Sequence, residues 1–353
     1  MKIAVYTIAK NEEQFVERWA ESCKEADYRI ILDTGSDDRT VELAEKAGVI
    51  VGTKIIDPWR FDYARNAALE VVPEDADYCI ALDMDEILIP GWREEMEKAT
   101  ATRPRYEYTW SWNPDGSPGL VYGGDKIHAR HGYFWKHPVH EVLSFKEHET
   151  QEWLKLQIHH HPDHTKSRGQ YFPLLELAVS EDPEDDRNAH YLAREYYFHN
   201  MWDKAVPEFK RHLSLPRAVW RPERSASMRY LARCDHPNER ESWLLRAAAE
   251  SPDRREAWVE LAQVYYERND WPSCYSAAKR ALTIQEKPLE YICDANAWGA
   301  APHDMAAISS FRLGLYEESV VHAKNALEFE PENERLQKNL DFCVTEANKR
   351  EEK

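Results

Sequence analysis

The segment YCIALDMDE, Tyr78 to Glu86, drives an apolar run directly into three carboxylates, Asp83, Asp85 and Glu86. Close like charges repel, and each desolvated carboxylate is costly. The arrangement therefore calls for something positive at the end of the run. Asp83 and Asp85 alternate on one side of an extended chain, so both can face the same partner.

Working outward from this run, the first half of the chain alternates between two periods. KIAVYTIA reads as a buried strand. Phe15, Val16, Trp19, Ala20 and Cys23 then fall at helical spacing and predict a helix over 12–26. YRIILD is a second strand ending at Asp33, followed by the turn cluster TGSDDRT and a helix over about 40–47. VIVGTKII reads as a third strand, YARNAALEVV as a helix and YCIALD as a fourth strand. Such β-α units predict a parallel sheet with helices on both faces. Ligands of these sheets bind beyond the carboxyl ends of the strands, and Asn11, Asp33, Asp83 and Asp85 all lie at such ends. Farther on, LVYGGDKIHARHGYFWKHPVHEVLSF is rich in aromatics and histidines, and WLKLQIHHHPDH reads as a strand running into a histidine cluster.

Past about residue 168 the strand patterns stop. Trp258, Leu261, Ala262 and Tyr265 carry the W-x2-L-G-x2-Y spacing of a tetratricopeptide repeat, with Ala for Gly. Leu192, Ala193 and Tyr196 repeat those offsets, with Ala205 and Phe209 on the second helix. Ala307, Ala323, Ala326 and Pro331 fit another copy, and a degenerate one covers about 224–252. Stacked helix pairs form a solenoid that can bind a peptide or pair with a second copy of the chain. The expected division is 1–168 for the β-α domain and 169–353 for the repeats.

Composition narrows the partners. The 353 residues carry a net charge of -18, which argues against nucleic acid as a general partner. The six cysteines have neither zinc nor disulfide spacing, so reduced, mostly buried thiols in a cytoplasmic protein are expected. No apolar stretch reaches the ~18 residues of a membrane span. MKIAVYTIAKNEE reads as a first strand and not as a signal peptide.

TIAKNEE, DTGSDDRT, FDYARNAAL and LDMDE, in that order, resemble a family-2 glycosyltransferase of the GT-A fold. YFWKHPVHEVL is similar to the acceptor-side segment of the members that modify lipopolysaccharide core or peptides. The resemblance covers about 165 residues and implies a GT-A α/β domain, with its Rossmann-like mixed sheet, ahead of an all-α repeat domain. It implies an inverting hexosyl transfer from a nucleotide sugar, UDP-hexose foremost, to an acceptor that is a protein, glycan, nucleobase or lipid-linked saccharide. Mn²⁺ or Mg²⁺ would serve the departing diphosphate, because such ions prefer carboxylate oxygen.

By resemblance Asp85 is the metal ligand, while Thr7, Asn11, Asp33, Arg65 and Asp83 line the nucleotide sugar. Asn11 also fits a turn residue, Arg65 a surface arginine, and Ser36 or Asp37 a helix cap. The resemblance also implies a late histidine as a further metal ligand. A strand would put His159 and His161 on one side and His160 on the other, and His161, followed directly by Pro162 and Asp163, is the first candidate, with His159 second. Glu141 is the candidate base, with His140 the alternative, and on a strand the two would point to opposite faces. Trp110, Trp112 and Trp135 suit either a sugar platform or the core. Two rival readings are a nucleotidyltransferase, whose basic Gly-rich loop TIAKNEEQF lacks, and a repeat scaffold with an inactive first domain.

Overall fold

The computed structural model describes residues 1–163 and 171–351. The boundary expected at residue 168 lies outside the described residues. By contacts the chain forms two compact units, Met1–Glu181 with Leu289–Tyr291, and Asp182–Pro288 with Ile292–Lys353.

The first unit opens with β1 (Ile3–Ala9), α1 (Glu13–Ser22), β2 (Tyr28–Asp33), α2 (Thr40–Lys46), β3 (Ile50–Thr53), α3 (Phe61–Val71) and β4 (Tyr78–Ala81). It continues through β5 (Glu86–Leu88), α4 (Trp92–Met96), β6 (Arg103–Thr109), β7 (Val121–Gly124) and β8 (Ile127–Ala129). The hairpin β9 (Tyr133–Lys136) and β10 (Val142–Phe145), the long strand β11 (Gln151–His160) and α5 (Tyr171–Glu181) complete it. The main sheet has the order β3-β2-β1-β4-β8, parallel except for β8. A second sheet has the order β5-β11-β6-β7.

β1 is buried on both faces because helices cover both. Ile3 and Val5 pack with Val16, Trp19 and Ala44, whereas Ala4 and Tyr6 pack with Ala67, Ala68 and Leu69. α1 is shorter than the predicted 12–26. The chain turns out after Cys23, and Asp27 exchanges hydrogen bonds with Ile3 at the entry to β2. The chain leaves β3 at Thr53, before the predicted Ile55 and Ile56.

The second unit is helical. Its elements are α6 (Asp186–Phe198), α7 (Trp202–Ser214), α8 (Arg221–Cys234), α9 (Arg240–Glu250), α10 (Arg255–Glu267) and α11 (Trp271–Leu282), then α12 (Ala295–Trp298), α13 (Ala301–Arg312), α14 (Tyr316–Phe329) and α15 (Glu334–Glu351). The repeat signatures fall on the pairs α6–α7, α10–α11 and α13–α14, and the degenerate copy on α8–α9. Ala189, Ala193, Ala205, Ala262, Ala278, Ala306, Ala307 and Ala323 are buried, which lets paired helices approach closely. Asn200, Asn269 and Gly314 have φ of 56°, 58° and 79° and end the first helix of three pairs. Asn and Gly are the residues that tolerate this left-handed cap. All six thiols are buried and unpaired. No described helix is long and apolar enough to cross a membrane.

Candidate functional site

The main chain leaves β4 at Ala81 and enters β5 at Glu86, so the acidic turn sits at the carboxyl edge of the main sheet. Glu86 is 1% exposed. It accepts the backbone N–H of Asp83 at 2.8 Å and the Tyr108 hydroxyl at 2.6 Å, which closes the turn. Asp83 accepts from Arg65 Nη2 at 2.7 Å on one oxygen and from Lys126 Nζ at 2.5 Å on the other. Lys126 also reaches Glu86 at 3.2 Å. The positive charge demanded by the sequence is thus partly the protein's own.

Electrostatics follow from this geometry. Burial pushes the Asp83 carboxyl up, but Arg65 and Lys126 outweigh it and hold it well below the carboxylate range. Burial dominates for Glu86 and raises it. Burial pulls Lys126 down, and the facing Asp83 and Glu86 more than restore it.

Arg65, on α3, is buried and not a surface arginine. Its Nε donates to Glu141 Oε1, and its guanidinium lies over the Trp135 ring at 5.0 Å. It therefore bridges Asp83 and Glu141, residues 58 apart in sequence. Its Nη1 is buried with no hydrogen-bond partner among the described residues. Trp135 is 3% exposed and donates to the buried Tyr6 hydroxyl at 2.8 Å, so it is core that supports Arg65.

Glu141 and His140 do not lie on a strand as expected. They occupy the connection between β9 and β10, where His140 has φ of 48°. The left-handed residue breaks the alternation on which the opposite-face argument rested. Glu141 turns to Arg65, while the His140 ring lies 6.1 Å from the Tyr171 ring.

Among the histidines, alternation holds, and the ring that meets the acidic turn is His160. Its Nε2 lies 3.2 Å from Asp85 Oδ2, its Nδ1 lies 2.9 Å from the Trp110 carbonyl, and it stacks on Trp110. Burial lowers its pKa, but the bond to Asp85 wins and raises it. His159 and His161 both pack on Trp112, whose indole donates to the His160 carbonyl. The His161 N–H donates to the Asp85 carbonyl at 2.8 Å, which keeps His161 beside the turn.

At the first two strand ends, Asn11 clamps one loop to the next. Its Oδ1 accepts from the Asp37 N–H, and its own N–H donates to Ser36 Oγ. Asp33 is 3% exposed and accepts from the N–H groups of Gly35 and Ser36. Thr7 is fully buried in β1, two residues before the strand's carboxyl end at Ala9.

Sequence reading missed Lys126, Arg18 and the placing of His160. Arg18, on α1, has Nε and Nη2 buried without a hydrogen-bond partner among the described residues, within the electrostatic reach of Asp85 and His161. A signal for His160 did exist. In WLKLQIH, Leu154, Leu156 and Ile158 are the buried phase of β11, and His160 continues it.

Residues 4–163 match the model of the family Glycosyl transferase family 2. The resemblance carried by the motifs therefore holds for this mixed α/β domain. An uncharacterized glycosyltransferase of Rickettsia bellii (strain RML369-C) is 32% identical over 108 residues, 30% of this chain and 35% of the relative. The chain thus matches about a third of that relative's length. Among solved structures, glucosyl-3-phosphoglycerate synthase from Mycobacterium tuberculosis, in complex with Mn²⁺, UDP and glucosyl-3-phosphoglycerate, is 23% identical. It covers 30% of this chain and 44% of its own, with a TM-score of 0.26. The MamA protein is 17% identical, covering 46% and 83%, with a TM-score of 0.35.

Proposed function

We propose that the first unit is an inverting, metal-dependent glycosyltransferase that moves a hexose from a nucleotide sugar, UDP-hexose foremost, to an acceptor hydroxyl or thiol. The observation that carries the reading is the convergence of Asp83, Asp85, Arg65 and Glu141 at the carboxyl edge of a domain matching glycosyl transferase family 2.

Asp85 is the acid of the turn that no lysine or arginine pairs among the described residues, and its side chain is 30% exposed. An oxygen donor beside the His160 imidazole fits a dication, and Asp85 with His160, or the adjacent His161, would hold it. Such an ion supplies charge neutralisation for a departing diphosphate. Asp83, already neutralised by Arg65 and Lys126, suits hydrogen bonding to the ribose side of the donor. Asp33 and the Asn11 loop clamp flank that side. Buried, unpartnered donors at Arg65 and Arg18 suit phosphate oxygens.

Glu141 takes the acceptor proton while the acceptor oxygen or sulfur bonds to the anomeric carbon and the bond to the diphosphate breaks on the opposite face. Its Oε2 takes no hydrogen bond from a described residue, since Arg65 occupies Oε1. Arg65 thereby sets the angle between the base and the donor pocket.

The test is a panel of nucleotide sugars, each assayed with Mn²⁺, with Mg²⁺ and with chelator, for hydrolysis and for thermal stabilisation. One sugar nucleotide that is turned over and raises Tm only with metal is the expected result. No stabilisation by any member of the panel would end the reading.

A further inference from the structure

The second unit buries a polar cluster that the transfer chemistry does not use. Asp186 opens α6, His212 lies near the end of α7 and Glu223 lies in the first turn of α8. One ligand atom from each lies within 4.8 Å of the other two. His212 is 0% exposed and Glu223 is 3% exposed. His212 Nε2 lies 3.5 Å from Glu223 Oε1.

The imidazole supplies the second, independent observation. His212 Nε2 is buried with no hydrogen-bond partner among the described residues. Its Nδ1 lies 2.9 Å from Ser227 Oγ, and Ser227 Oγ lies 2.8 Å from His190 Nδ1. With Nδ1–H donating to Ser227, Nε2 keeps its lone pair, 3.5 Å from Glu223 Oε1, and a ring nitrogen lies within 4.8 Å of an Asp186 oxygen. A ring nitrogen oriented by a hydrogen bond on its far side is the usual setting of a metal-bound histidine.

We propose that Asp186, His212 and Glu223 form a binding site for a divalent transition-metal ion, with Zn²⁺ as the first candidate. One nitrogen and two oxygens suit Zn²⁺ better than Mg²⁺ or Ca²⁺, which prefer all-oxygen sets. Metal–ligand bonds of about 2.1 Å in a tetrahedron leave ligands roughly 3.4 Å apart. The His212–Glu223 distance of 3.5 Å already matches such an edge. Asp186, half-buried at a helix start, supplies the remaining closure by rotating its side chain. The ion would join three successive helices, so its role is to fasten the first repeat to the second.

The test uses the full chain with Asp85→Asn, which removes the proposed ligand of the first unit and isolates the second site. After stripping with chelator, zinc binding is measured by equilibrium dialysis with elemental analysis, and Co²⁺ is added to record its visible spectrum. One tightly held zinc, a cobalt spectrum of low coordination number and a zinc-dependent rise in Tm are expected. Adding Asp186→Asn or His212→Gln should abolish all three. Ser227→Ala should weaken binding by about 10- to 100-fold, as for a lost orienting partner. Circular dichroism checks that each variant is folded, and Asp186→Asn covers the case in which His212→Gln is not. No zinc bound in Asp85→Asn, or unchanged binding in a folded Asp186→Asn variant, would overturn the site. Because none of these readouts uses donor or turnover, failure here leaves the transferase reading intact.

Discussion

Arg65 and Arg229 are both buried guanidinium groups set between two carboxylates, one in each unit of the chain. Arg65 meets Asp83 and Glu141, which arrive from the turn after β4 and from the β9–β10 connection. Arg229 meets Glu260 on the facing α10 and Asp294 just before α12, and Arg233, one helical turn on, shares Glu260. The second cluster joins neighbouring helices and, apart from Asp294 at the start of α12, stays on regular structure. The first lies where strands end, in segments free to take special backbone geometry such as the positive φ of His140. The same ion-pair chemistry thus joins helix to helix in one unit and strand-end loops in the other, and loops at strand ends are where binding residues are usually carried.

That contrast can be broken at the acceptor side first. Glu141→Gln keeps the bond to Arg65 within reach but cannot take a proton. Turnover should fall by roughly 10²- to 10⁴-fold with donor affinity nearly intact. His140→Gln should cost far less. Steady-state kinetics of both variants decide, and normal turnover in Glu141→Gln would reduce the Arg65 cluster to a structural joint.

The stability of the two arginine clusters should differ next. Arg65→Met leaves Asp83 and Glu141 facing the interior, a loss of about 3–5 kcal/mol for a broken buried pair. The partners of Arg229 have side chains 20% and 37% exposed, against 29% and 11% for Asp83 and Glu141, so Glu141 is the most enclosed of the four and Arg229→Met should cost less, about 1–3 kcal/mol. Urea melts of the full chain measure both, and equal losses would remove the distinction.

A smaller effect is expected at the metal. UDP with Mn²⁺ at about 100 times its Kd should stabilise the fold by about 2.7 kcal/mol. Asp85→Asn should lose most of the metal-dependent part, as read by Tm with and without chelator. An unchanged increment would remove Asp85 from the metal.

The least of the four is a pH effect with opposite signs in the two units. His160 is raised by Asp85, so its contribution is full below the unfolded value near 6.5 and is lost as pH rises through the higher folded value. His303 is lowered by burial to about 4, with His322 adding to the shift. Its contribution is present above 6.5 and is lost as pH falls toward 4. Histidine NMR titrations should show one ring titrating above 6.5 and the other well below. Coincident titrations would contradict the geometry around both.

Much of this was legible in the residues because it is local. The period of two in KIAVYTIA and YRIILD, the helical spacing of Val16, Trp19 and Ala20, and the offsets of Trp258, Leu261, Ala262 and Tyr265 all report neighbours along the chain. The acidic turn was visible because an apolar strand ending in carboxylates is costly without a partner. The phase of β11 was also present in its alternating Leu154, Leu156 and Ile158, which carries His160 and not His161 inward.

Tertiary structure alone decided which distant charges meet. Lys126 stands in a GGDK stretch with no pattern around it that points to Asp83, yet it pairs with Asp83, 43 residues away. Arg65 could as well have faced solvent, because a single helix does not reveal which of its polar residues a sheet edge and a loop will enclose. His140 and Glu141 left the expected strand because two residues of positive φ, His137 and His140, end an alternation that composition favours. Periodicity encodes each segment's inward face, whereas pairing between segments depends on the three-dimensional path of loops, and that path is a property of the assembled sheet.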